Sequence, residues 1–428
     1  MIAFEQAQEI VQRQCARLPD ETVPLQALPG RVTANSIRSP VDLPGFDNSA
    51  MDGFALRLEG RAADAGTLYT VTGEQAAGDC TVGSRSDADC WSIMTGAQVP
   101  QGFDTVVPVE QVEILEWTAD GRPLRIRLRD GASPNQHIRR AGEDIALGDV
   151  ALPGSTFIDA PALMLLAGLG VASARVVRRP RIALICTGRE LVDDPVQALA
   201  PGQIRNSNAA FLAARIPACG AELVHRETVP DEPALFEAAL ARARAADADI
   251  VISTGAVSMG RFDFVPTVLD RVGAVTLFHK VAMRPGKPLL FAKLPNGALY
   301  FGLPGNPVSS VVGFRFFVEA ALRTMLGLGR EQPWRLPLAH DASKKPGFRL
   351  HQKARLQLGS TGRLHVHLLQ GQESFKTRPL IEARVWAALP ADVSKLGRGD
   401  NVDVFPLGHE LGVRLGAQHD EEASCALN

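Results

Sequence analysis

The sequence predicts an α/β plus β, multidomain protein built on a three-layer α/β domain at residues 177–328. Three observations predict it. From Arg181 onward, short apolar runs ending in Gly, Ser, Thr or Asp alternate with helix-like stretches, which is the pattern of strands and helices in turn. On either side, between Leu68 and about Arg139 and again beyond Gly329, short segments alternate apolar and polar residues, as in Ile126-Arg127-Leu128-Arg129 and Leu364-His365-Val366-His367-Leu368. The third is length: 428 residues exceed what one compact core accommodates.

In chain order, Phe4, Ala7, Val11, Cys15 and Leu18 recur at helical spacing, so residues 2–18 read as an amphipathic helix, ended by Pro24, Pro29 and Gly30. The stretch Ser39 to Ala55 is too rich in Pro, Asn, Asp and Gly to be regular structure and reads as a loop. It opens a β-rich domain at 41–139. Pro161 to Gly170 is an apolar helix; its Gly-Leu-Gly follows a helix instead of a strand, so packing explains it better than a dinucleotide motif. Ile182 to Cys186 is a strand, Ala209 to Cys219 a helix, Glu222 to Val229 extended, and Asp231-Glu-Pro the capped start of a helix running through Ala246. Ile250 to Ser253, Pro288 to Leu294 and Ala298 to Leu303 are further strands, the last leading through Pro304-Gly305-Asn306-Pro307 into a long apolar helix. A C-terminal β domain spans 329–418, and 419–428 reads as a disordered tail.

A hydrophobic content of 46% with 21% charged residues describes a soluble globular chain. The net charge of −2 and pI near 6.5 argue against a general nucleic-acid or membrane-surface binder, so any anion site is local. The six cysteines form no Cys-x-x-Cys pair and read as reduced thiols. With Glu5, Gln6 and Glu9 in place of a basic, apolar leader and no apolar run of membrane length, a cytoplasmic protein is expected.

Strands that end in polar loops before helices bring those loops to one rim of the sheet, where ligands bind in open α/β folds. Three such loops stand out: Thr187 to Glu190, Ser253 to Asp263, and Gly302 to Ser310. In the last, Pro307 suits a first helical position and Ser309 and Ser310 lie in the first turn, where backbone N–H groups attract phosphate; a Pro-Gly turn is equally the ordinary exit from a strand. Lys280, Arg284 and Lys287 put three cations beside it, opposed by Glu190, Asp231 and Asp263. Cations with carboxylates suit an anionic ligand and a hard divalent metal such as magnesium, although a solvated charged rim has the same composition. No Walker loop, Gly-x-Ser-x-Gly elbow or His-Glu-x-x-His occurs, and His365 and His367, lacking a third ligand, read as surface residues.

The segments 44–55 (Pro-Gly-Phe-Asp-Asn-Ser-Ala-Met-Asp-Gly-Phe-Ala), 93–100 (Ile-Met-Thr-Gly-Ala-Gln-Val-Pro), 138–145 (Ile-Arg-Arg-Ala-Gly-Glu-Asp-Ile), 253–258 (Ser-Thr-Gly-Ala-Val-Ser) and 302–309 (Gly-Leu-Pro-Gly-Asn-Pro-Val-Ser) together resemble the MoeA-type molybdopterin molybdenumtransferases, relatives of the gephyrin E domain. The resemblance covers essentially the whole chain. It implies a homodimer of four-domain subunits: a discontinuous linking α/β domain at 1–40 and 140–176, the β-rich second domain completing the partner's cleft, the molybdopterin-binding α/β domain, and the C-terminal β domain. The implied reaction inserts molybdate into adenylylated molybdopterin and releases AMP, with Mg2+ as cofactor. Because the dithiolene sulfurs hold the molybdenum, the protein need not supply Cys ligands.

By the same resemblance, Asp52 and Thr95 reach the cleft from the second domain, and Arg139 and Asp144 form its basic and acidic wall. Glu190, Asp231 and Asp263 are the acidic residues of metal binding and catalysis. Thr187, Gly188, Ser253, Thr254, Gly255 and Ser258 line the cofactor-binding loops; Lys280, Arg284 and Lys287 hold phosphates or the oxyanion. Pro304, Gly305, Asn306, Pro307 and Ser309 shape the loop on which pterin or molybdate rests. Implied partners are a molybdopterin adenylyltransferase and acceptor molybdoenzymes, with neither nucleic acid nor membrane.

The chain departs from the family at Arg189, where Asp is usual, at Ala256 in place of the second of two glycines, and in Ile204-Arg205-Asn206-Ser207-Asn208, where an Asp is common. Ala256 is harmless only if the loop does not require positive φ. Arg189 and Ala256 leave open an alternative, a pterin-binding paralogue with weak activity or a preference for tungstate. An adenylyltransferase shares the rim loops but lacks the flanking domains, and a receptor-clustering scaffold has no groove visible in the sequence.

Overall fold

The computed structural model describes residues 1–79, 90–257, 264–359 and 362–408. The chain divides into two compact units: Thr22–Pro29 with Asn35–Arg175, and the remainder, Met1–Glu21, Gly30–Ala34 and everything from Val176.

In the first of these units, the strands Gly73–Gln75, Cys90–Ile93, Gly53–Leu56 and Thr105–Pro108 form a four-stranded sheet in that order, and Leu68–Thr70, Pro123–Leu128 and Val112–Trp117 form a second, antiparallel one. Phe54, Leu56, Val107, Ile126 and Leu128 share its core. Gly53–Leu56, expected within a loop, is instead a fully buried central strand. A Cβ on Gly53 would lie 2.0 Å from the Val107 carbonyl oxygen, so the glycine that suggested a turn is what lets two strands close together. The apolar helix of this unit is Ala160–Gly168, with Asp159 accepting the Ala162 N–H at 3.0 Å as its N-cap.

The larger unit begins with helix α1 (Phe4–Gln14), which buries Phe4, Ala7 and Val11 on one face. Its α/β sheet comprises β1 (Arg181–Thr187), β2 (Glu222–Val229), β3 (Ile250–Thr254), β4 (Val275–His279), β5 (Leu290–Lys293) and β6 (Leu299–Leu303). The order is β2-β1-β3-β6-β5-β4: four parallel strands, then two antiparallel ones. Strands β3 and β6 are buried at every residue, as expected where layers cover both faces. Helices Pro233–Ala245 and Val265–Arg271 pack Phe236, Leu240, Val268 and Leu269 against Ala183, Ile185 and Val251. On the other side the rings of Phe278, Phe291 and Phe301 follow one another at 5.4 and 4.8 Å, with Phe317 at 6.3 Å from Phe278.

The long apolar helix after Pro307 is realised in three pieces: Pro307–Gly313, a π-helical turn Phe314–Val318, and Glu319–Met325. Beyond it, β7 (Trp334–Pro337), β8 (Arg349–Leu358), β9 (Leu364–Leu368), β10 (Val385–Leu389) and β11 (Asn401–Pro406) form the C-terminal sheet. Strand Met283–Arg284 joins its edge, parallel to the start of β8. The tail expected at 419–428 lies outside the described residues. Among the described residues no helix is long and apolar enough to cross a membrane, and Cys15, Cys90, Cys186 and Cys219 are free thiols.

Candidate functional site

The parallel strands end level with one another: Thr187 pairs with Val229, Cys186 with Thr254, and Thr254 with Leu303. Their exits are cross-linked through the backbone, the Gly188 N–H donating to Val229 O and the Gly255 N–H to Leu303 O, each at 3.1 Å. Antiparallel pairing sets His279 beside Leu290 and Leu290 beside Gly302, so the loop carrying Lys280, Arg284 and Lys287 leaves the sheet at this same rim. The starts of the three loops and the cation cluster singled out from the sequence therefore come together among the described residues, as the register requires.

Within the rim the roles are uneven. Ser253, expected to contact ligand, is fully buried and its hydroxyl is hydrogen-bonded to Tyr300. Strand alternation turns it into the core, where burial pushes the Tyr300 phenol pKa up. Thr187, Thr254 and Ser309 are also buried, and the Thr187 hydroxyl donates to Thr254 O at 3.2 Å, so these side chains shape the rim from beneath. Of the first-turn N–H groups expected to attract phosphate, that of Val308 donates to Ser374 O at 2.9 Å and that of Ser310 to Asn306 O at 3.0 Å; Pro307 has none. Pro304 is buried, its carbonyl accepting the Ser310 hydroxyl, while Gly305 and Asn306 face solvent with Pro307 half-buried.

Two of the carboxylates, Glu190 and Asp231, lie against the Gly188-Arg189 backbone. Asp231 is not the helix cap: the helix starts at Pro233, Glu232 occupies the cap position without a side-chain bond, and Asp231 Oδ2 accepts the Arg189 N–H at 3.4 Å. Glu190 folds its carboxylate over Gly188, where an added Cβ would meet it at 2.8–2.9 Å. Asp263 and Ser258 lie outside the described residues. Among the described residues no group of three His, Cys, Asp or Glu side chains could by itself hold a metal. Glu190 and Asp231 supply oxygen donors of the kind magnesium takes, since it is characteristically held by one or two carboxylates with substrate phosphate and water completing its shell.

Arg284 and Lys287 are exposed, and both cations lie over the ring of Phe348, at 4.4 and 5.7 Å from its centroid. Lys280 is half-buried with φ +74°, a backbone stabilised by its N–H donating to Leu289 O at 2.9 Å. Ala256 adopts φ +50°, so this loop does use the conformation that glycine would supply without strain. Two contributors escaped the sequence reading. Phe348 carries no motif, and Asn208 donates its amide to Gly305 O at 2.8 Å, while neighbouring Asn206 caps the following helix through the Ala209 N–H at 3.0 Å. Phe348 gave no signal in the sequence; for Asn208 the only one was the asparagine pair standing where an Asp is common.

The unit formed by Asn35–Arg175 brings 44–55, 93–100 and 138–145 together. Asp52 Oδ1 accepts both the Thr95 N–H at 2.7 Å and its hydroxyl at 2.9 Å. Those two bonds, the backbone one foremost, hold the Asp52 pKa below the usual carboxylate value. The side chain is exposed, fixed by one oxygen with the other open to a ligand. Ile138 and Arg139 pair with Ser49 and Asn48, and the Asp144 N–H donates to Leu43 O at 3.0 Å, leaving both Arg139 and Asp144 side chains exposed. Arg140, not singled out from the sequence, ties this cluster by pairing with Asp47.

Comparison with known proteins gives a consistent picture. Residues 2–170 match the MoeA N-terminal region (domain I and II), 183–324 a probable molybdopterin binding domain, and 335–407 the MoeA C-terminal region (domain IV). The chain is 37% identical over 95% of its length, and over all of the relative, to a molybdopterin molybdenumtransferase of Synechococcus elongatus. It is 34% identical over 96% of its length to the complete Haemophilus influenzae protein of that name. A crystal structure of a molybdopterin biosynthesis MoeA protein from Pyrococcus horikosii superposes with a TM-score of 0.73 at 27% identity, covering 95% of this chain and 99% of that one.

Proposed function

The chain belongs to the MoeA family and is a molybdopterin molybdenumtransferase of molybdenum cofactor biosynthesis, and from that premise we propose that it inserts molybdate into adenylylated molybdopterin with release of AMP. The observation that carries this reading is the meeting, at the ends of four parallel strands, of the cationic loop 280–287, the carboxylates Glu190 and Asp231, and the Pro304–Pro307 turn.

Arg284 and Lys287 bind the oxyanion and the phosphates, their positions limited by the Phe348 ring. The Pro304–Pro307 turn supports the pterin, its Gly305 carbonyl held in place by Asn208. Glu190 and Asp231, with Asp263, would hold Mg2+, which supplies charge neutralisation for the leaving nucleotide phosphate. The dithiolene receives the metal on its own sulfurs, consistent with a rim that offers oxygen and nitrogen groups and keeps Cys186 buried.

The homodimer is part of this reading: the exposed Asp52, fixed by Thr95, completes the partner's cleft together with Arg139 and Asp144. Its surroundings support a covered surface, because Phe46, Met51 and Met94 are exposed around it. An adenylyltransferase upstream, acceptor molybdoenzymes downstream and a cytoplasmic location complete the proposal.

Arg189 favours one competing reading, since its cation stands where the family usually has an acid. Purified protein incubated with adenylylated molybdopterin, magnesium and either molybdate or tungstate, followed by AMP release and reconstitution of an apoenzyme, tests both. Molybdate-dependent AMP release is expected. Tight pterin binding without release would indicate an inactive paralogue, and release with tungstate alone a tungsten enzyme.

A further inference from the structure

Lys353 lies on β8 and its side chain is entirely buried. An ammonium group is buried at great cost unless its donors are satisfied. Here its Nζ donates to three backbone carbonyls of one loop, Gly371 at 2.7 Å, Lys376 at 3.1 Å and Glu373 at 3.5 Å. The Gln372 side chain repeats the attachment: it accepts the Lys353 N–H at 2.9 Å and donates to Lys353 O and Leu369 O, each at 2.8 Å. Loop 371–376 is thus fixed to β8 from two sides. Its middle residue then reaches the rim, Ser374 O accepting the Val308 N–H at 2.9 Å in the first turn after Pro304-Gly305-Asn306-Pro307.

The same strand supports the other side of the rim. Its first residues pair with Met283 and Arg284, Phe348 immediately before it lies under Arg284 and Lys287, and an added Cβ on Gly286 would meet Ser309 O at 3.5 Å. The cationic loop and the Pro304–Pro307 turn are therefore referenced to one strand of the C-terminal sheet.

We propose that Lys353 is a positioning residue for the transferase reaction, holding loop 371–376 so that Ser374 sets the first helical turn beneath the anion- and pterin-binding loop. The inference rests on the functional reading above, and it makes the C-terminal sheet a working part of the site, acting without touching substrate.

The test uses the full chain with Lys353→Met and Gln372→Ala, and Val402→Ala as a control. Val402 is buried in the C-terminal core two strands away from β8, so its truncation weakens the sheet without touching the loop. Hydrogen exchange of the Val308 amide and binding of adenylylated molybdopterin are measured well below the melting temperature of every variant. Releasing the loop should speed Val308 exchange by about fivefold to tenfold and weaken pterin-nucleotide binding by roughly tenfold or more, whereas Val402→Ala changes neither. Equal effects in all three variants, or unchanged Val308 exchange in Lys353→Met, would overturn the proposal. If the parent protein binds no pterin nucleotide, the functional reading fails on its own, and the exchange experiment still decides whether Lys353 controls the turn.

Discussion

Replacing Gly255 by Ala tests how the rim is built. Gly255 has φ +93°, and a methyl group there would lie 2.6 Å from the Thr187 carbonyl oxygen and 2.7 Å from Thr187 Oγ1. Neither oxygen can swing away: one is backbone of the neighbouring strand, and the other donates to Thr254 O at 3.2 Å. Positive φ costs an L-residue about 1–2 kcal/mol, and forcing a methyl group into a packed strand junction adds about 1–3 kcal/mol. The expected loss is therefore about 2–5 kcal/mol, felt first where β1 and β3 end. Gly305→Ala is the comparison, because its φ is not positive and an added methyl lies 3.8 Å from Gly255 Cα, an ordinary contact. That variant should stay within about 0.5 kcal/mol of the parent. Because a chain of more than one compact unit need not unfold in two states, urea midpoints are paired with hydrogen exchange of peptides covering Thr187 and Thr254. If both variants unfold at the same urea concentration and exchange alike, the idea that close strand approach makes the rim is wrong.

Three further outcomes are expected. Asp52→Asn keeps an oxygen for both Thr95 bonds but removes the charge, so circular dichroism and the urea midpoint should be unchanged while turnover falls by about 100-fold or more; near-normal turnover would count against its role in the cleft. Phe348→Ala removes the ring beneath Arg284, and at about 1 kcal/mol for that contact molybdate or pterin phosphate should bind roughly fivefold more weakly by calorimetry; unchanged affinity would show that the ring only covers the strand. His351 lies between Phe4 and Phe316, and both ring nitrogens are buried without a hydrogen-bond partner among the described residues. Burial first, then Arg349 and Arg315, holds its pKa well below the ordinary value. The folded protein therefore keeps it neutral while the unfolded chain protonates it near pH 6.5, so its contribution is complete above that pH and declines below it, by up to about 1.4 kcal/mol per pH unit. Urea midpoints at pH 7.5 and 5.5 should converge in His351→Leu; an identical acid loss in that variant would assign the effect to other groups.

The order of elements was legible because periodicity is local. Runs such as Ile250 to Ile252 and the alternating segments beyond Gly329 carry their own structure, and a strand leading into a polar loop and then a helix already implies a rim. Thr187-Gly188, Gly255 and Pro304–Pro307 could be assigned to it before any coordinates. Sequence also allowed the three loops around Asp52 to be named, though not joined.

What a side chain does at the rim was decided by contacts between residues far apart in the chain. Ser253 and Asn208 are both small polar residues next to motifs; strand alternation seals one against Tyr300, while the start of a helix aims the other at Gly305. Asp231 looked like a helix cap because capping is a local pattern, yet the N–H its Oδ2 accepts is that of Arg189, on another loop. Phe348, Lys353 and Ser374 have no motif, and their influence arises only when the C-terminal sheet docks β8 beside Met283–Arg284. Sequence by itself determined which segments form strands and which polar loops follow them, because those preferences act within a few residues. Tertiary structure alone decided which groups are buried, which are held and which remain open to a ligand, because burial and hydrogen-bond partners are set by neighbours that the chain supplies only after folding.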